Sequence, residues 1–88
     1  MALRAAAAGA RGAILLAEGD SAGALQAFHQ SVQLWREAEA PYEAAMARAG
    51  LARAFHAMGD SDSSAMELRV ARAALSQLGA ALDLVTLI

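Results

Sequence analysis

Apolar side chains recur along this chain with the spacing of a helix, and no stretch alternates as a strand would. Leu25, Phe28, Val32 and Trp35 follow at intervals of three, four and three residues, which places them on one face of a helix. Two further stripes are Ala47, Leu51, Phe55 and Met58, and Leu68, Ala71, Leu75 and Leu78. The pattern predicts an all-α fold.

Two Gly-Asp pairs divide the chain into helices. Gly19 and Gly59 provide the left-handed residue that commonly ends a helix. Asp20 and Asp60 then suit the N-cap of the next helix, with Ser21 as the alternative cap in the first case. Pro41 fits the first position of a third helix. We therefore expect four antiparallel helices, over about residues 2–18, 21–38, 41–58 and 61–79.

The two halves of the sequence match when one is shifted by 40 residues. This shift pairs Gly12 with Ala52, Leu15 with Phe55, Gly19 with Gly59, Phe28 with Leu68, Ser31 with Ala71, and Trp35 with Leu75. The match fails at Arg11 with Leu51, Glu18 with Met58, and Val32 with Arg72. A fixed period of this kind is typical of repeat proteins. The sequence predicts one domain over residues 1–88, with repeats at about 2–38 and 41–79 and a short segment at 80–88.

Composition excludes several classes of function. The 88 residues include 26 alanines, 12 leucines and only six β-branched residues, which favours helices. The absence of cysteine excludes a disulfide scaffold, a cysteine metal site and a thiol nucleophile. A net charge of −2 with no basic stripe argues against direct nucleic-acid contact. No apolar run approaches the roughly 20 residues of a membrane span, so we expect a cytoplasmic location.

The residues that could carry chemistry each have a simpler structural explanation. His29 and His56 are 27 apart and lack a third ligand at metal-site spacing. The serines after Asp60 suit a turn and a helix cap better than a nucleophile or a calcium loop. Arg69 and Arg72, with Glu67 nearby, suit a solvated helix face better than a phosphate site. Trp35 suits the core, with a binding hot spot as the alternative. We expect no enzyme activity, metal or cofactor.

Several of these residues resemble the signature of the tetratricopeptide repeat. Gly12, Ala24 and Phe28 match it in the first half, and Leu51, Phe55 and Ala71 match it in the second. The early tryptophan of that family is replaced by Ala8 and Arg48, and its terminal proline comes late, at Pro41. The resemblance implies two helix-turn-helix repeats and a non-catalytic module that binds other proteins.

The longer period is similar to repeats in one group of bacterial regulators. The stretch from Gln33 to Arg48, with Gly50-Leu51-Ala52-Arg53-Ala54 and Met58-Gly59-Asp60, resembles the repeat arrays of LuxR-type transcription activators and related cyclase-linked ATPases. The resemblance implies a fragment of a transcriptional regulator. Because repeat arrays need about three units for stability, we expect either a piece of a longer array or a chain completed by another copy.

In tetratricopeptide arrays the first helices of the repeats line a groove for a peptide or a partner helix. The groove positions implied here are Ala6, Gly9, Ala13, Leu16, Met46, Ala49, Arg53 and His56. The lysine and asparagine that hold a terminal carboxylate in chaperone-binding members are absent, because Gly9 and Ala13 take their places. The resemblance implies a protein or peptide partner, with burial against flanking domains or a second copy as the alternative.

The last nine residues end in a strongly apolar run. Its large aliphatic residues are Leu82, Leu84, Val85, Leu87 and Ile88, and no charge follows Asp83. Exposed residues of this kind would promote aggregation. We expect a further helix that buries them, either within the chain or in a homodimer formed through these five residues.

Overall fold

A computed structural model describes residues 2–79, and within that range it contains four helices and no strand. The helices are α1 (Ala2–Ala17), α2 (Ser21–Glu37), α3 (Pro41–Ala57) and α4 (Ser61–Gln77). The all-α prediction is confirmed, and each predicted helix end lies within two residues of the observed one. The expected segment 80–88 lies outside the described residues.

The three turns between helices share one geometry. Gly19 and Gly59 have positive φ angles of 87° and 84°. After α1, the N–H of Asp20 donates to the carbonyl of Leu15 over 2.8 Å, and the N–H of Gly19 donates to that of Leu16 over 3.1 Å. This pair of bonds is the Schellman motif, which satisfies carbonyls at a helix end.

The middle turn repeats this geometry without glycine. Glu39 has a φ of 55°, and Ala40 donates to the carbonyl of Trp35 over 2.9 Å. A left-handed conformation is unfavourable for a residue with a Cβ, by roughly 1–2 kcal/mol. Left-handed residues thus occur every 20 positions, at 19, 39, 59 and 79, and the 40-residue repeat consists of two similar helix-turn units.

Aspartate side chains cap α2 and α4 as the sequence predicts. The carboxylate of Asp20 accepts from the N–H of Gly23 over 2.9 Å, and that of Asp60 accepts from the N–H of Ser63 over 3.1 Å. These bonds satisfy donors that the first helical turn leaves unpaired. Hydrogen bonds from the side chain and the backbone of Ser63 hold the pKa of Asp60 below its ordinary value of 3.8.

The lowered pKa of Asp60 predicts a pH-dependent stability. Because the native state binds this proton less tightly than the unfolded chain, the stabilisation is complete above the ordinary pKa and is lost as pH falls through the native one. We expect Asp60→Asn to flatten the fall in urea midpoint between about pH 6 and pH 2. Asp62→Asn removes the same charge two residues away, and an equal flattening in that control would contradict this assignment.

The core is centred on Phe28, whose side chain is only 4% exposed. It packs in a cluster with Val32 from α2 and with Ala47 and Leu51 from α3. Gly12 of α1 also faces the Phe28 ring, because a Cβ built on it would lie 3.0 Å from three ring atoms. The ring therefore lies where α1, α2 and α3 meet.

The predicted apolar stripes are correct in the middle of the helices and wrong at two ends. Leu51 and Leu75 are buried, and Trp35 is half-buried against the core cluster. Met58 and Leu78, by contrast, are 51% and 46% exposed. Both are C-cap residues of their helices, so they lie beyond the last turn that packs against a neighbour.

The two helical hairpins, α1 with α2 and α3 with α4, are held together differently at one equivalent position. In the first hairpin Ala8 and Ala27 are both buried. At the corresponding places in the second, Arg48 and Glu67 form an ion pair with a nitrogen–oxygen distance of 2.9 Å. The prediction of a solvated helix face for Arg69, Arg72 and Glu67 is correct for Arg69, which is exposed, and wrong for Glu67, which is buried and pairs with Arg48 of α3.

Candidate interaction surface

The helices pack in chain order, with one additional contact. Each helix lies against the next, and α1 also touches α3, whereas α2 and α4 make no contact within the described range. This arrangement brings the first helices of the two hairpins side by side. It creates a shared surface on α1 and α3, and the groove residues implied by the sequence all lie on these two helices.

A pocket of about 290 Å³ opens between the N-terminal halves of α1 and α3. We call it the Trp35 pocket. Its lining residues are Ala5, Ala6, Gly9 and Ala10 from α1, Phe28, Ser31 and Trp35 from α2, and Tyr42, Glu43, Met46 and Ala47 from α3. The volume is close to the lower limit of about 300 Å³ for small-molecule sites, so the pocket suits one or two side chains of a partner.

The wall of the Trp35 pocket is mostly apolar, because few of its lining residues are polar. The hydroxyl of Ser31 is buried and donates to the carbonyl of Ala5 over 2.9 Å. This bond joins α2 to α1 and occupies the hydroxyl proton. Glu43 is the one charged residue of the lining, and it is exposed in the first turn of α3. Phe28, Trp35 and Ala47 therefore contribute apolar and aromatic surface to the pocket.

One cationic side chain and a histidine lie farther along α3. Arg53 is exposed, and its guanidinium carbon is 5.8 Å from the centre of the Phe28 ring, within the range of a cation–π contact. His56 is also exposed, near the end of the same helix. The surface thus runs from a carboxylate at Glu43, across an apolar pocket, to Arg53.

The structure separates the implied groove residues into four groups. Ala6, Gly9 and Met46 line the Trp35 pocket. Ala13, Arg53 and His56 are exposed outside it, and Leu16 is half-buried against the core. Ala49 is only 2% exposed and cannot contact a partner. The assignment of Ala49 to the groove is wrong, because packing between helices covers its methyl group.

The five apolar residues predicted to mediate self-association lie outside the described residues: Leu82, Leu84, Val85, Leu87 and Ile88.

The sequence predicts only part of the pocket lining, namely Ala6, Gly9 and Met46. Trp35 was expected in the core, and it both packs there and lines the pocket. The pattern does not indicate a role for Glu43 or for Tyr42, which is 38% exposed. The sequence does indicate that Tyr42, directly after Pro41, lies in the first turn of a helix. Only the position of α1 shows that this first turn of α3 borders a cavity.

Two properties of the described residues bear on other classes of function. No three His, Cys, Asp or Glu side chains are grouped so that they could hold a metal ion within residues 2–79. None of the four helices has the length and apolar character needed to cross a membrane.

No protein family, curated protein or solved structure matches this chain. The described residues define an all-α protein of two successive helical hairpins, with an open apolar pocket between the first helix of each.

Proposed function

We propose that this chain is a non-catalytic protein-interaction module of the tetratricopeptide type, and that it belongs to a cytoplasmic bacterial transcriptional regulator. The observation that carries the proposal is the Trp35 pocket, which lies between equivalent helices of two repeated hairpins. Its ligand is an apolar side chain presented by a peptide, by a partner helix or by a flanking domain of the parent protein.

The chemistry of the pocket supports this role. Aromatic and methionine side chains are enriched at protein interfaces, and Trp35, Tyr42 and Met46 all line the pocket. An amphipathic helix can place its apolar side chains in such a groove. Glu43 and Arg53, both exposed, provide charges on α3 that can orient the partner.

Selection of peptides from a displayed random library against the immobilised full chain tests the proposal. Selected peptides would be titrated calorimetrically against the parent and against Met46→Asp. We expect the affinity of Met46→Asp to be at least about tenfold lower. Binding would desolvate the new carboxylate in an apolar pocket, at a cost in binding free energy of more than about 1.4 kcal/mol.

The matched control is Met66→Asp, which makes the same change at a residue of α4 that is 47% exposed and does not line the pocket. Peptides that bind all three proteins equally would refute the assignment of the site. Arg53→Glu is expected to weaken the binding of those selected peptides that carry an acidic side chain.

Self-association is a second candidate, favoured by the outer side of α1. Leu3 and Ile14 are 83% and 58% exposed, and their spacing of 11 residues places them on one side of the helix. Burial of this side against a second copy would remove both from water. Sedimentation at several concentrations separates the candidates, because a homodimer dissociates on dilution and a monomeric module does not.

A further inference from the structure

Two opposite charges on α3 border the Trp35 pocket. Glu43 lines the pocket and is exposed in the first turn of α3. Arg53 is exposed later on the same helix, and its guanidinium carbon is 5.8 Å from the centre of the Phe28 ring. Within residues 2–79 neither side chain takes part in an ion pair. Both charges can therefore pair with groups of a partner.

The ring of Phe28 joins Arg53 to the pocket. Phe28 is one of the pocket-lining residues, and the guanidinium of Arg53 lies over the same ring at cation–π distance. This contact restricts a long side chain that would otherwise sample many rotamers. Arg53 makes no hydrogen bond within the described residues, so its N–H groups can donate to a carboxylate. The guanidinium is thus positioned beside the pocket before a partner binds.

The charges and the pocket follow one another in a fixed order along α3. Met46, which lines the pocket, stands three residues after Glu43 and seven before Arg53. The rise of a helix separates Glu43 from Arg53 by about 15 Å along its axis. Seven residues are about two turns, so Met46 and Arg53 lie on nearly the same side of α3. A partner along this surface therefore meets a carboxylate, then an apolar pocket, then a guanidinium.

The apolar wall of the pocket favours a helix over an extended segment as the partner. The residues of α1 that line the pocket are all alanine or glycine, whose side chains neither donate nor accept hydrogen bonds. The buried hydroxyl of Ser31 already donates its proton to the carbonyl of Ala5. An extended chain on this wall would lose water from its N–H and C=O groups without replacement. A helix avoids this loss because its backbone hydrogen bonds are internal.

We propose that the partner in the Trp35 pocket is an amphipathic helix that runs antiparallel to α3. An acidic side chain near its N-terminus pairs with Arg53, and a basic side chain near its C-terminus pairs with Glu43. The apolar side chain that enters the pocket beside Met46 stands seven residues after the acid and three before the base, as the spacing on α3 requires. This inference rests on the proposed role of the pocket as a protein-binding site.

The helix dipole explains why the antiparallel direction is favoured. An acidic side chain near the N-terminus of a helix and a basic one near its C-terminus both stabilise that helix. In the antiparallel direction, the charges that complement Arg53 and Glu43 therefore also stabilise the partner. In the parallel direction the base would lie near the N-terminus and the acid near the C-terminus, where both oppose the dipole. The order of charges on α3 thus selects one direction.

Calorimetric titration of the full chain with two helical peptides of identical composition tests the proposal. The forward peptide carries glutamate, leucine and lysine at successive spacings of seven and three residues, and the reversed peptide has the glutamate and the lysine exchanged. We expect the forward peptide to bind at least about fivefold more tightly, because the exchange replaces two attractive charge pairs with two repulsive ones. The difference should shrink at high salt, since the charges on α3 are exposed.

The control is the double variant Glu43→Arg with Arg53→Glu, which exchanges the two charges of α3 and keeps the net charge. Both positions are exposed, so helix content measured by circular dichroism should not change. We expect the ratio of forward to reversed affinity to fall at least about tenfold in this variant, because every charge pair changes sign. The same ratio in both proteins would overturn the proposal, since the preference would then come from the helix stability of the peptides alone.

A third peptide tests the helical conformation. It is the forward peptide with a proline midway between the glutamate and the leucine, which interrupts a helix, and we expect it to bind at least about tenfold more weakly. Unchanged affinity would overturn the helical partner.

Failure of this inference can be told apart from failure of the pocket as a binding site. Equal binding of forward and reversed peptides to the parent and the double variant, with both lost in Met46→Asp, would overturn the direction and leave the pocket as the site. Binding of neither peptide would overturn the helical partner. Peptides selected from the random library would then show whether the pocket binds a partner of another conformation.

Discussion

Phe28→Ala is expected to destabilise the protein by about 3–5 kcal/mol, the usual range for removing a buried phenylalanine. The ring is 4% exposed and contacts three helices, so the cavity cannot be closed by the shift of one neighbour. A domain of this size has a total stability on the order of 5–10 kcal/mol. The variant should therefore be close to unfolding at 25 °C, as measured by circular dichroism in urea.

Met66→Ala is the control for this experiment. Met66 is 47% exposed on α4, and we expect its replacement to change the free energy of unfolding by no more than about 0.5 kcal/mol. Similar losses in Phe28→Ala and Met66→Ala would show that the core is not centred on Phe28.

Gly50→Ala is expected to destabilise the protein by up to about 2 kcal/mol, although alanine is the better helix former. A Cβ at this position would lie only 2.5 Å from Cδ1 of Phe28. Gly12 lies against the same ring at 3.0 Å, which leaves the ring little room to withdraw. Overpacking of this kind typically costs 1–3 kcal/mol, and the intrinsic preference of a helix for alanine returns only about 1 kcal/mol.

A double-mutant cycle identifies the cause of that loss. In the background of Phe28→Leu, which is the residue found at the equivalent position 68, the Cβ gains space. We expect Gly50→Ala to be neutral or stabilising there, by up to about 1 kcal/mol. An unchanged loss in both backgrounds would mean that the ring contact does not explain the effect.

The helices could be read from the sequence because their signals are local. Gly19 and Asp20 end one helix and begin the next through bonds to residues no more than five positions away. The apolar spacing of α2 likewise identifies its core face without knowledge of the neighbour. The sequence does not predict the left-handed conformation of Glu39, which has a φ of 55°, since no glycine marks this position.

The candidate site was predicted only in part, because it depends on how helices cross. The implied groove positions on α1 and α3 include Met46, which lines the Trp35 pocket, and Ala49, which is buried. Both fit the same family pattern. Met46 and Ala49 differ because neighbouring helices cover one side of α3 and not the other. A single sequence carries no direct signal for which side is covered.

The sequence by itself determined the helical class, the four helices, their caps at Asp20 and Asp60, and the two-hairpin repeat, since these features depend on residues close together in the chain. Only the tertiary structure decided that Arg48 pairs with Glu67 and that Phe28 lies between glycines of two other helices. Such contacts join residues 16 or more positions apart. Their geometry depends on helix packing, which the periodicity of one helix does not specify.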